Sequence, residues 1–154
     1  MTTRASYRYH LLNVFTRDAA ALSGNPLCVF EDGSGLDDAT QQSLARQFNL
    51  SETTFLLPSR CASARVRIFT PDFELPFAGH PTLGTAHVVR LLAGAAAADS
   101  LTLEMLAGVI QVAARGDQLA ERHHARHPDR QRGRGRPDRD QAPERRGQGD
   151  RAPH

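Results

Sequence analysis

The stretch from Leu83 to Ala93 limits the possible folds more than any other. Its apolar residues Leu83, Ala86, Val88, Val89, Leu91 and Leu92 are interrupted only by Thr85, His87 and Arg90. Residues Pro81 to Ala93 read as one helix, and a helix apolar on nearly every side has to be buried. The chain has 154 residues, the size of one ordinary domain. The remaining elements must therefore wrap this helix.

Short segments rich in aromatic and branched residues supply the wrapping. Tyr9 to Thr16 reads as a strand, and Leu27 to Phe30 as a second, paired antiparallel with the first around the Arg17–Ser23 loop and a Gly24-Asn25-Pro26 turn. Asp37 or Asp38 can cap a helix running to about Phe48, with Leu44, Ala45 and Phe48 inward and Gln41, Gln42, Arg46 and Gln47 largely wet. Asn49 is its stop. The later part of Leu50–Pro58 and the alternating Ala64–Phe69 are further strands. Leu101–Met105 and Val109–Ala113 are two more, joined by a tight turn at Ala107-Gly108. The expected architecture is α+β: a curved sheet of six strands around a central buried helix, with one surface helix.

From Leu119 onward neither periodicity survives. Residues 119–154 contain one Leu and no Val, Ile, Phe, Tyr or Met, too little apolar surface to offset the entropy of ordering. They hold 10 Arg against 6 acids, whereas residues 1–118 hold 9 Arg against 11 acids. The sequence has no Lys, a bias that fits a GC-rich coding sequence. We expect two segments, a folded 1–118 and a disordered Arg/Gly/Pro-rich tail over 119–154 that reads as the product of a frameshift near 117–119. The Arg/Gly tail could bind nucleic acid by charge alone, but no aromatic residues interleave it for base stacking, so nucleic acid is not the expected partner. His123, His124 and His127 lack a carboxylate or Cys framework to make a metal site. Cys28 and Cys61 show no paired spacing and read as small buried residues. The N-terminus lacks an apolar signal core, and the longest apolar run, Leu91–Ala98, is far short of the roughly 20 residues that span a bilayer. The expectation is a soluble cytoplasmic protein.

The candidate chemistry gathers at Thr70–Ala86, which ends a strand, runs through a constrained loop and starts the buried helix. Pro81 suits a first helical position, and Gly79 before it permits a sharp turn or a close ligand approach. The amides of Thr82 and Leu83 would then lack intrahelical partners and could bind an anion such as a substrate carboxylate. His80 stands at that mouth and can donate, accept or titrate near neutral pH; the alternative is a side chain that only caps the helix. Glu52 precedes the apolar run Thr54–Leu57. It is either a solvated strand-end carboxylate or a general acid–base group, since apolar surroundings raise a carboxyl group's affinity for protons. His87 reads as a hydrogen-bonded core histidine, and Asp72 and Glu74 as solvated loop acids.

Gly24-Asn25-Pro26 with Val29-Phe30, Asn49-Leu50-Ser51-Glu52-Thr53-Thr54-Phe55, Arg67-Ile68-Phe69-Thr70-Pro71, Glu74–Thr82 and Gly84-Thr85-Ala86 occur in that order. Over about residues 8–117 the chain resembles the phenazine biosynthesis PhzF-like isomerases, which have the diaminopimelate epimerase-like fold. The resemblance implies two similar domains, each a curved, mostly antiparallel sheet around a helix, with the helix N-termini facing across a cleft. It implies cofactor-free isomerisation of a dihydro-hydroxyanthranilate or a similar small carboxylate by proton transfer. It makes Glu52 the catalytic glutamate and His80 a substrate-binding and proton-placing group, with no metal; many members are homodimers. The second domain's Gly-rich motif does not follow residue 118. No cysteine stands at Gly79-His80, which disfavours the two-thiol chemistry of related epimerases. The competing reading is an inactive truncated fragment or a binding module with half a cleft.

Overall fold

The computed structural model describes residues 6–17, 23–115 and 118–122. Eight strands form one sheet: β1 (Tyr9–Val14), β2 (Asn25–Phe30), β3 (Glu52–Leu57), β4 (Ala64–Phe69), β5 (Glu74–Leu75), β6 (Ser100–Met105), β7 (Gly108–Arg115) and β8 (Gln118–Arg122). Their order is β1-β2-β3-β4-β6-β7-β8, with β5 added on β4. Among the described strands only β2–β3 and β4–β6 are parallel. Parallel neighbours need a long crossover, and each of these pairs has a helix: α1 (Asp38–Phe48) in the first and α2 (Gly79–Ala93) in the second.

The two helices cover opposite faces, as the alternation along the strands requires. Leu27, Val29, Leu56, Val66 and Ile68 pack with Ala86 and Val88 of α2, while Cys28, Phe30, Phe55 and Phe69 pack with Ala45 of α1. The sheet curls around α2, which touches β1, β2, β3, β4, β6 and β8. The expectation of a curved sheet around a central helix holds, and the pairing is mostly antiparallel.

Close approach of α2 to the sheet depends on Gly84. A Cβ there would lie 2.5 Å from Leu27 Cδ2 and 2.8 Å from Val14 Cγ2. On the other face, α1 starts at Asp37, whose carboxylate accepts from the Thr40 amide at 2.8 Å. It ends at Asn49, in the left-handed region with φ 53°, which Asn tolerates as a cap.

Several expectations need correction. The Gly24-Asn25-Pro26 turn is narrower, because β2 already includes Asn25 and Pro26; Gly24 alone takes the positive φ of 95°. Gln41 is buried, not wet, and its Nε2 donates to the Leu36 carbonyl at 3.0 Å. Helix α2 is not buried throughout: Leu91 and Leu92 in its last turn are exposed to solvent. Cys28 is buried but Cys61 is exposed. The break placed at 118/119 is crossed by β8, which pairs antiparallel with β7, and Leu119 packs on the core. The rest of the expected tail, with His123, His124 and His127, lies outside the described residues. Among the described residues no helix is long and apolar enough to cross a membrane.

Candidate active site

Strand β3 and helix α2 bring two polar side chains together at one end of the concave face. Glu52 is the first residue of β3 and faces α2, as do Thr54 and Leu56. His80 is the second residue of α2. Its Nε2 lies 3.2 Å from Glu52 Oε2, with the side chains only 11% and 16% exposed respectively. Both atoms are shielded from solvent, yet neither is aligned for a hydrogen bond with any described protein group. Buried polar atoms ordinarily have partners. A carboxylate oxygen and a ring nitrogen side by side, each with bonding capacity unspent, can both address one small molecule.

The helix start lies earlier than the sequence suggests. Hydrogen bonding makes Gly79 the first helical residue and Pro81 the third, with Ala78 as the N-cap and no side chain capping it. The Thr82 amide bonds the Ala78 carbonyl at 3.2 Å, and its buried hydroxyl donates to the same carbonyl at 2.7 Å. A helix beginning at Gly79 commits the Leu83 amide to the Gly79 carbonyl in the same way. Thr82 and Leu83 are therefore not the free donors. The amides without intrahelical partners are those of Gly79 and His80, and the helix dipole makes their surroundings favourable to an anion.

The loop leading to this start is held at several points. Gln42 Nε2 donates to the Thr70 carbonyl at 2.9 Å and Arg46 Nε to the Pro71 carbonyl at 3.2 Å. Arg67 grips Glu74 with two bonds of 2.8 and 2.7 Å and also reaches Asp38. The Glu74 bond is the main cause of the upward shift of the Arg67 guanidinium. Glu74 is thus paired, whereas Asp72 is exposed as expected. The β6–β7 turn closes the loop's far side, where the Ala107 amide donates to the Pro76 carbonyl at 3.1 Å.

His87 is exposed, not a core histidine, because it faces a gap between the end strands. With Leu83, Gly84, residues 12–16 at and just past the end of β1, and Leu119 it lines a cavity of about 560 Å³. Neither Glu52 nor His80 is among its walls, and it has no acidic group. It marks where β1 and β8 come round to α2 without pairing to each other. The chemistry is better sought at Glu52 and His80. No group of three potential metal ligands occurs among the described residues.

The model of the phenazine biosynthesis-like proteins matches residues 12–133, and this chain belongs to that family. An uncharacterized isomerase of Pasteurella multocida is 55% identical over 86 residues, covering 54% of this chain and 29% of the relative. A trans-2,3-dihydro-3-hydroxyanthranilate isomerase of Pseudomonas chlororaphis is 52% identical over 81 residues, covering 52% and 28%. Among solved structures, a phenazine biosynthesis protein of the PhzF family from Enterococcus faecalis aligns with a TM-score of 0.67 at 30% identity, covering 75% of this chain and 43% of that one. A predicted epimerase from Pseudomonas aeruginosa aligns at 0.62 and 38% identity, covering 74% and 41%. The chain matches less than a third of each of these two relatives' length.

Proposed function

We propose that this chain carries one wall of the active cleft of a PhzF-like isomerase, with Glu52 as the proton-transfer group and His80 as its substrate-side partner. The observation that supports this most is the pair of shielded, unspent atoms, Glu52 Oε2 and His80 Nε2, 3.2 Å apart beside a helix start. The substrate class is a small unsaturated carboxylate such as trans-2,3-dihydro-3-hydroxyanthranilate, the compound named for the Pseudomonas chlororaphis relative. Its carboxylate would lie against the Gly79 and His80 amides. Glu52 takes a proton from an activated C–H, the bonding electrons shift into the neighbouring π system, and the proton returns to another carbon. Substrate and product are isomers, and Glu52 ends as it began. This step calls on no cofactor.

The chain's coverage of less than a third of these relatives supports a second wall contributed from elsewhere in the intact protein. The test is solvent-deuterium incorporation into the substrate, using a chimera in which the remainder of the Pasteurella multocida relative follows residue 115. General acid–base groups contribute roughly 10²–10⁴-fold, so Glu52→Gln is expected to slow exchange by about that factor. Exchange at the parental rate in Glu52→Gln would contradict the assignment.

A further inference from the structure

We propose that Thr54 and Thr85 are positioning residues, and that their buried hydroxyl pair sets Glu52 against His80. This rests on the reading of Glu52 and His80 as the reacting pair. Thr54 Oγ1 and Thr85 Oγ1 are 2.9 Å apart, and both residues are fully buried. Thr54 also donates to the Cys28 carbonyl at 3.5 Å, which leaves its oxygen to accept from the Thr85 hydroxyl. The bonds run from α2 through β3 to β2.

The placement of this tie follows from the two periodicities. Thr54 is two residues beyond Glu52 on the same strand face, a rise of about 6.6 Å. Thr85 is five residues beyond His80 along the helix, a rise of about 7.5 Å. Strand and helix thus advance by nearly equal lengths between the Glu52–His80 contact and the Thr54–Thr85 bond. The two contacts are the ends of one short frame, and fixing one end fixes the register of the other. Packing alone would not require hydroxyls here. A pair of Val side chains fills almost the same volume without desolvating two polar groups, but it lets the helix slide and rotate against the strand. The Glu52–His80 contact has no aligned hydrogen bond of its own to hold it. Its geometry has to come from outside, and Thr54–Thr85 is the nearest directional contact between the two elements.

The test reads the His80 ring directly. In the full chain the His80 Hε1 resonance is assigned by its loss in His80→Asn, and its displacement in Glu52→Gln measures how strongly the ring senses the carboxylate. Thr85→Val is expected to displace the resonance by at least half as much. Thr54→Val should displace it at least as far, since it also removes the bond to the Cys28 carbonyl, and the double variant no further than Thr54→Val, because both lack the same two bonds. Thr85→Ser, which keeps the hydroxyl, should leave the resonance in place. A His80 signal unmoved in a folded Thr85→Val variant, or moved equally in Thr85→Ser, would overturn the positioning role while leaving Glu52 and His80 as a pair. A signal unmoved by Glu52→Gln would overturn the pairing itself, and the tie with it. Should Thr85→Val fail to fold, Thr54→Val and Thr85→Ser still decide the matter.

Discussion

The two faces of strand β3 are built on opposite principles. Its convex face sends Thr53 and Phe55 toward α1, into a cluster where Phe55 stacks on Phe30 at 4.7 Å and meets Phe69 edge-on at 5.6 Å. Its concave face sends Glu52, Thr54 and Leu56 toward α2, whose buried residues are Pro81, Thr82, Gly84, Thr85, Ala86 and Val88. Large rings fill one side; on the other, α2 presents mostly small residues to Leu27, Val29, Leu56, Val66 and Ile68 of the sheet. Rings bury area and tolerate an amphipathic helix at ordinary distance. Small residues bring a helix close enough for side chains to meet across it. Both arrangements bury apolar side chains, and the second also gives position to a few polar atoms.

Breaking the convex face should therefore cost stability while affecting the site least. Phe55→Ala removes a fully buried ring and is expected to cost about 3–5 kcal/mol, read from urea denaturation. Gly84→Ala comes next. The added methyl meets Leu27 and Val14 at sub-van der Waals distances, an overpacking cost of about 1–3 kcal/mol. Unlike Phe55→Ala, it should also displace the His80 resonance, because α2 must move away from the sheet. If both variants disturb His80 equally for their loss of stability, the division between the faces is wrong.

The two cysteines sharpen the same contrast. Burial beneath α1 pushes the Cys28 thiol up to about 12, so it should resist alkylation until the chain unfolds. Cys61 is exposed, with its Sγ 3.6 Å from Glu104 Oε2, and should be alkylated in the native chain. Mass spectrometry should count one adduct in the native chain and two after denaturation.

The smallest effect belongs to the α1 cap. Hydrogen bonding to Thr40 holds the Asp37 carboxyl below its ordinary value. A depressed carboxylate contributes stability that is full above its unfolded value, about 3.9, and is lost as pH falls through the folded one. Asp37→Asn keeps an acceptor for Thr40 and should remove this pH dependence from the melting temperature, while Asp37→Ala should lower the melting temperature throughout.

What could be read from the sequence was what local pattern controls. The strands, the Asp37 cap, the Asn49 stop and the apolar central helix follow from spacing and composition. Glu52 and His80 could be singled out from their motifs, though their 3.2 Å approach is a tertiary fact. The misreadings share one cause, in that each turned on a specific partner that periodicity does not name, even where that partner lies only four to eight residues away. Gln41 looked wet on its helix face, but the loop at Gly33–Leu36 covers it. Glu74 looked solvated, but Arg67 holds it. The Thr82 amide looked free because Pro81 suggested a later helix start; the Ala78 carbonyl takes it. Strand β8 was missed because Gln118–Arg122 has only Leu119 and Ala120 as apolar residues, too short a run to show a period, and its pairing with β7 is what makes it a strand. Thr54 and Thr85 stood within the motifs, but nothing in the sequence paired them, since a hydroxyl pair across two elements leaves no periodic trace.

The claim that the Glu52 end of the concave face is the binding site can be tested on the chain itself. Titrating ¹⁵N-labelled full chain with 3-hydroxyanthranilate, a stable carboxylate of the same class, reports each backbone amide separately. The account predicts that the Gly79 and His80 amides and the His80 ring move together, with Thr82 and Leu83 moving far less. Movement confined to the seam around His87 and Leu119, with Gly79 and His80 still, would contradict it.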